Sequence, residues 1–205
     1  PCKVVVVEYR LALRHPFPTG VEDCYTALQW VFENAGELGI DPSRIAVHGD
    51  SSGGNFAAVV CLMARDRKAH EPCYQMLLYP VVDVTCSTES GRSCVDTPEL
   101  NSYGIDYAWR LHLAKGYHGM PQYASPLFAS DHSRLPDAYV ETAEFDPLHD
   151  EGIAYAEKLE KAGVKVELNE TTGTYHGFDI KYERPFSQHA LAHRVEVFQR
   201  VFHKA

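Results

Sequence analysis

VHGDSSGGN, residues 47–55, narrows what this chain can become more than any other segment. A short apolar run, RIAVHG, leads into it, and from Gly53 to Lys68 the apolar residues recur at helical spacing. Phe56, Val59, Val60 and Met63 form the stripe of that helix. A strand that turns sharply into a helix sets Ser51 at the apex of the turn. The spacing Gly49-x-Ser51-x-Gly53 has a steric reason: the apex residue is held at positive φ, and its flanks crowd the neighbouring strand and helix. A strained turn of this kind aims a serine hydroxyl outward, ready to attack. The competing reading is a Gly/Ser-rich turn that binds phosphate at a helix N-terminus.

The remaining sequence alternates strand and helix patterns. KVVVVEY, Lys3–Tyr9, has the continuous β-branched character of a strand buried on both faces. Val21 to Ala35 carries apolar residues at helical spacing, and QMLLYPVV, 75–82, reads as another buried strand. AYVETAEF, 138–145, is a strand, and a helix from Glu151 to Ala162 is closed by Gly163. KVELNET, 165–171, is a strand with alternating apolar residues. A last helix, Phe186 to Phe202, is expected to turn Leu191, Val195, Phe198 and Phe202 inward. The alternation predicts an α/β fold: a mostly parallel sheet with helices on both faces, forming a single domain over residues 1–205. Residues 84–118 break the rhythm with a polar, turn-rich stretch and read as a cap or lid insertion.

A nucleophilic serine needs a base and an acid, which in a strand-turn-helix arrangement follow in the order serine, acid, histidine. Asp146 comes directly after the strand AYVETAEF, so its carboxylate lies at the same sheet edge as Ser51. Asp150 competes but stands four residues further on, where a carboxylate suits the first turn of a helix. His176, in TGTYHGF, follows the last strand, and Gly177 lets that loop approach closely. Ser51 is then the nucleophile, His176 the proton carrier, and Asp146 the group that fixes the imidazole tautomer. The backbone N–H of Ser52 is one donor to a developing oxyanion.

Other features exclude competing functions. The net charge is −9 with no basic cluster, which argues against a nucleic-acid partner. No apolar run approaches the roughly 18 residues of a membrane span. The six cysteines, Cys2, Cys24, Cys61, Cys73, Cys86 and Cys94, show no C-x-x-C spacing and read as reduced, buried thiols of a cytoplasmic protein. His189 and His193 are four apart on a helix but lack the glutamate of H-E-x-x-H, so no metal site is expected there. His48 and His149 flank the key motifs and are expected to pack or to line the rim.

On these residues the chain resembles the hormone-sensitive-lipase-like (family IV) carboxylesterases of the α/β-hydrolase fold. VVVVEYRLALRHPFPTGVEDCYTALQWV is similar to that family's fourth-strand segment, and DPSRIAVHGDSSGGN to its elbow, usually GDSAGGN. LPDAYVETAEFDPLHDEGIAYAEKL is similar to its acid-bearing segment, and YHGF to its histidine loop. The resemblance implies hydrolysis of carboxylic esters with short to medium acyl chains, a small-molecule ester substrate, and no cofactor.

Three departures stand out: Ser52 in place of the usual alanine, Leu13 in place of a proline, and no HGGG anywhere in the 205 residues. The glycine N–H groups of HGGG complete the family's oxyanion hole, and the family's first three strands precede its fourth, the third lying between the fourth and fifth, so Lys3–Tyr9 is expected to lack its usual bridge to the strand ending at Gly49. The chain is therefore expected to carry the C-terminal two-thirds of the family fold. Three functional readings follow: an active serine esterase, a truncated homologue with weak or no activity, and a non-catalytic small-molecule-binding module of the kind the gibberellin receptors represent. A homodimer and association with a separate N-terminal fragment both stay open.

Overall fold

Four parallel strands join the sheet in the order in which they occur: β1 (Ala46–Asp50), β2 (Tyr74–Leu78), β3 (Asp137–Phe145) and β4 (Val166–Tyr175). The computed structural model describes residues 2–203. Pro1, Lys204 and Ala205, part of the expected 1–205 domain, lie outside the described residues.

Strands added in one direction by right-handed crossovers throw their connecting helices onto the same face. α3 (Ser52–Asp66) joins β1 to β2, and α7 (His149–Lys161) joins β3 to β4. Both pack with α1 (Thr19–Glu33) against that face, where Leu62 and Met63 meet Leu77, Val140, Tyr155 and Leu159. α8 (Pro185–Phe202) follows the last strand and covers the other face, so that Met76, Leu78 and Tyr139 pack with Ala190 and Val197. The opposed directions of Leu77 and its neighbours follow from the two-residue repeat of a strand. α3 is apolar all round and buried from Gly54 to Arg65, the mark of a central helix rather than a surface one.

A short helix, α2 (Ala35–Leu38), follows α1. Residues 84–118 hold α4 (Glu89–Ser93) and α5 (Ser102–His112), followed by α6 (Pro121–Ala124). Ile105 and Trp109 of α5 pack on Val81 and Leu148. Ser90 of α4 donates its N–H to Asp150 Oδ2 (2.9 Å) and its hydroxyl to Pro147 O (3.1 Å). The segment therefore sits on the loop between β3 and α7. No helix among the described residues is long and apolar enough to cross a membrane.

Three expectations change. Lys3–Tyr9 lacks the bridge to β1, as expected, but it is not a buried strand: it forms no ladder, and Val4 and Val6 are 78% and 86% exposed. Its β-branched run sets an extended backbone, but burial requires neighbouring strands, and none is hydrogen-bonded to it. α8 is rotated from its expected setting: Ser187, Ala190, Arg194 and Val197 are buried, while Leu191 and Val195 are 53% and 47% exposed. Of the six cysteines, all free, only Cys61 is buried; Cys2 and Cys73 are exposed.

Candidate active site

The elbow after β1 has the strain its spacing predicted. Ser51 is held at φ 55°, ψ −119°, in a region costly for a residue with a Cβ. Hydrogen bonds on both sides hold it there. Its N–H donates to Leu78 O (2.9 Å), and its carbonyl accepts from Asn55 N–H (3.1 Å) and Val81 N–H (3.2 Å). A Cβ on Gly49 would stand 2.2 Å from Gly53 O, and one on Gly54 would stand 2.9 Å from Pro80 Cβ. Gly53, the second glycine of the pattern, has room, with its nearest neighbour 3.9 Å away. Within these residues the steric demand thus falls on Gly49 and Gly54. Ser52 opens α3, so its N–H has no partner within the helix.

In the sequence Asn55 is simply the end of the motif. Its buried amide donates to Val81 O (2.7 Å) and Ala124 O (2.9 Å), tying the loop after β2 and the end of α6 to the elbow.

Asp146 follows β3 directly and is fully buried. Its Oδ1 accepts the Leu148 N–H (2.9 Å), and its Oδ2 lies 2.7 Å from His176 Nδ1. His176 follows β4, and Gly177 at φ 68° makes the turn beyond it. The other ring nitrogen, Nε2, is 2.9 Å from Ser51 Oγ. An ionised carboxylate only accepts, so the proton sits on Nδ1 and Nε2 is free to accept from the serine hydroxyl. The Tyr79 ring packs against the imidazole at an interplanar angle of 62°, with 4.8 Å between centroids.

Asp150 takes no part in this contact. It accepts from Ser90 N–H and from His149 Nδ1 (2.9 Å each). Burial works to raise its pKa, but these partners more than offset that and hold it below the usual carboxylate range. His48 meets the Phe198 ring edge-on at 6.0 Å. His193 pairs with Glu167 (3.1 Å) and His189 is exposed. Among the described residues no group of three or more His, Cys, Asp or Glu side chains is disposed to hold a metal.

Sequence reasoning missed the burial of Glu151 and Arg194, titratable side chains near the site. Glu151, in the first turn of α7, turns inward, and its Oε1 accepts from Val82 N–H (2.6 Å) and Asp83 N–H (3.0 Å). Burial pushes its pKa well up, against the pull of those two donors, with Asp83 and Asp146 adding to the rise. Arg194 turns inward from α8 to Glu141 and Asp179. Neither residue breaks the apolar pattern in a way that marks it as buried.

Comparison with known proteins finds similar esterases. Carboxylesterase NlhH of Mycobacterium tuberculosis (strain H37Rv) is 43% identical over 205 residues, covering 98% of this chain and 64% of the relative. An arylesterase of Saccharolobus solfataricus is 39% identical over 188 residues, covering 86% and 58%. Among solved structures, a bacterial heroin esterase superposes with a TM-score of 0.93 at 40% identity, over 96% of this chain and 64% of the other. An esterase from the archaeon Pyrobaculum calidifontis superposes at 0.87 and 40%, over 95% and 64%. The chain thus spans about 64% or less of the length of these relatives. The alpha/beta hydrolase fold family matches residues 1–180, and the chain belongs to that family.

Proposed function

We propose that this chain carries the nucleophile, base and acid of a serine carboxylesterase that acts on small esters with short to medium acyl chains. The observation that carries the reading is the unbroken hydrogen-bond relay from Ser51 Oγ through His176 to buried Asp146. Ser51 Oγ attacks the acyl carbon as His176 Nε2 takes its proton, and Asp146 stabilises the imidazolium. The Ser52 N–H donates to the oxyanion. Collapse of the intermediate passes the proton from His176 to the departing alcohol and leaves an acyl group on Ser51. His176 then activates a water, which releases the acid. No cofactor enters the scheme.

Taken by themselves, the 205 residues supply the Ser52 N–H without the glycine donors of an HGGG loop. Loss of one oxyanion donor costs about 10² to 10³ in kcat. That favours a second reading, in which this chain reacts at Ser51 but turns over slowly. A homodimer, or a complex with an N-terminal fragment, belongs to the same proposal. It is supported by the exposed Lys3–Tyr9 run and by the outer edge of β1, unpaired among the described residues. Free cysteines support a cytoplasmic setting.

The test combines p-nitrophenyl acetate and butyrate hydrolysis with fluorophosphonate labelling of the chain and of Ser51→Ala. Label and turnover that both vanish in Ser51→Ala are expected for the esterase. Label without turnover fits the weakly active reading. A chain that takes no label yet binds a small ligand tightly would instead be a binding module.

A further inference from the structure

We propose that Arg194, acting through Asp179 and Tyr79, is the positioning residue that holds the His176 imidazole between Ser51 and Asp146. Its kinetic consequence rests on the hydrolase reading, whereas its geometric consequence does not.

Arg194 is buried on α8, with partners on two other elements. Its Nη2 donates to Glu141 Oε1 of β3, the strand that ends at Asp146. Its Nη1 donates to Asp179 Oδ2 (2.5 Å), three residues beyond His176. The other oxygen of Asp179, Oδ1, accepts the Tyr79 hydroxyl (2.7 Å). Tyr79 stands just past β2 at φ 33°, its N–H donated to Glu141 O (2.6 Å) and its ring packed against the imidazole. The residue before it, Leu78, accepts the N–H of Ser51. One guanidinium therefore ties together the strand that leads to the acid, the loop that carries the base, and the residue beside the nucleophile.

Stability alone gives little reason for such a cluster. Buried ion pairs are often matched or bettered by apolar residues of the same volume, because desolvation opposes the attraction. What the cluster adds is a fixed geometry. Asp179 has both oxygens engaged, so the segment just beyond His176 cannot slide along the sheet edge. Tyr79, tethered at its hydroxyl, presents its ring to the imidazole in one orientation. Burial would raise the Asp179 pKa, but Arg194 and Tyr79 more than offset it, so the anchor stays ionised. Small displacements at a reacting centre cost up to about 10²-fold in rate, so a rigid backing for the imidazole has kinetic value.

The test uses the ¹⁵N-labelled full chain. The downfield Nδ1–H resonance of His176 is assigned by its loss in His176→Gln. Tyr79→Phe keeps the ring on the imidazole and removes only the tether, and Asp179→Asn removes the charge that Arg194 grips. Both variants are expected to broaden that resonance through faster proton exchange, and to lower the fluorophosphonate labelling rate about tenfold, with the circular dichroism unchanged. The two effects should not multiply in the double variant, because the residues act in series. Arg194→Met strands the buried Glu141 carboxylate and frees the partly buried Asp179, and is expected to unfold, so the milder variants carry the test. A resonance unchanged in both overturns the proposal. A chain that takes no label, but whose resonance broadens in Tyr79→Phe, would sink the hydrolase reading and leave the positioning role standing.

Discussion

Ser51 sits where a side chain is least welcome, at φ 55° and ψ −119°. The Leu78 carbonyl and the Val81 and Asn55 N–H groups hold it there, so the surrounding structure offsets the strain. Removing the Cβ should release it. Ser51→Gly is expected to be more stable than Ser51→Ala by about 1 kcal/mol, although both lack the hydroxyl. Urea denaturation of the two variants measures the difference, and equal midpoints would mean the elbow is not strained. At this scale the sequence was informative. Ser51, Asp146 and His176, named from order and strand position, are the three side chains in hydrogen-bond contact. Each lies directly at the end of a regular element, where a pattern fixes position to within a residue. The role of Asn55 was not legible, because its partners Val81 and Ala124 lie 26 and 69 positions away.

Among the elements, legibility failed where burial and polarity part company. Apolar periodicity put Leu191 and Val195 on the inner face of α8, yet the face that packs is built on Ala190, Arg194 and Val197. A charged residue with two carboxylate partners, Glu141 buried and Asp179 partly buried, can occupy a core position, and those partners, on β3 and on the turn after β4, are invisible in the helix itself. Lys3–Tyr9 failed the other way, since β-branched residues report extended backbone rather than the presence of a neighbour. Glu151 is a similar case and gives a test. Its pKa is raised in the fold, so the native state holds that proton more tightly than the unfolded chain does. Stability is therefore greatest with the group protonated. It falls as pH rises from the ordinary glutamate value, about 4.3, through the raised value, and then levels off. Glu151→Gln keeps an acceptor for Val82 and Asp83 but does not titrate. Its melting temperature relative to the parent should climb across that pH window and then hold constant. A difference that stays flat from about pH 4 to pH 8 would show that Glu151 keeps an ordinary pKa.

Over the whole molecule, parallel strands bring distant residues to one edge. The fold class was legible because strand and helix patterns alternate along most of the chain, and right-handed crossovers leave few ways to arrange them. The setting of residues 84–118 was not, since their anchors are single contacts such as Ser90 to Asp150. The same parallel layout separates Ser51 from its base by 125 positions. On the proposed mechanism, a ribosome completes the nucleophile well before it makes the residue that activates it. During that interval the growing chain displays an ordinary serine, and it becomes reactive only when β4 docks beside β3. Nascent chains stalled with β4 still in the exit tunnel should take no fluorophosphonate label, whereas released chains should take it. Under that mechanism synthesis order acts as a timer, keeping the hydroxyl silent until the sheet that aims it is complete.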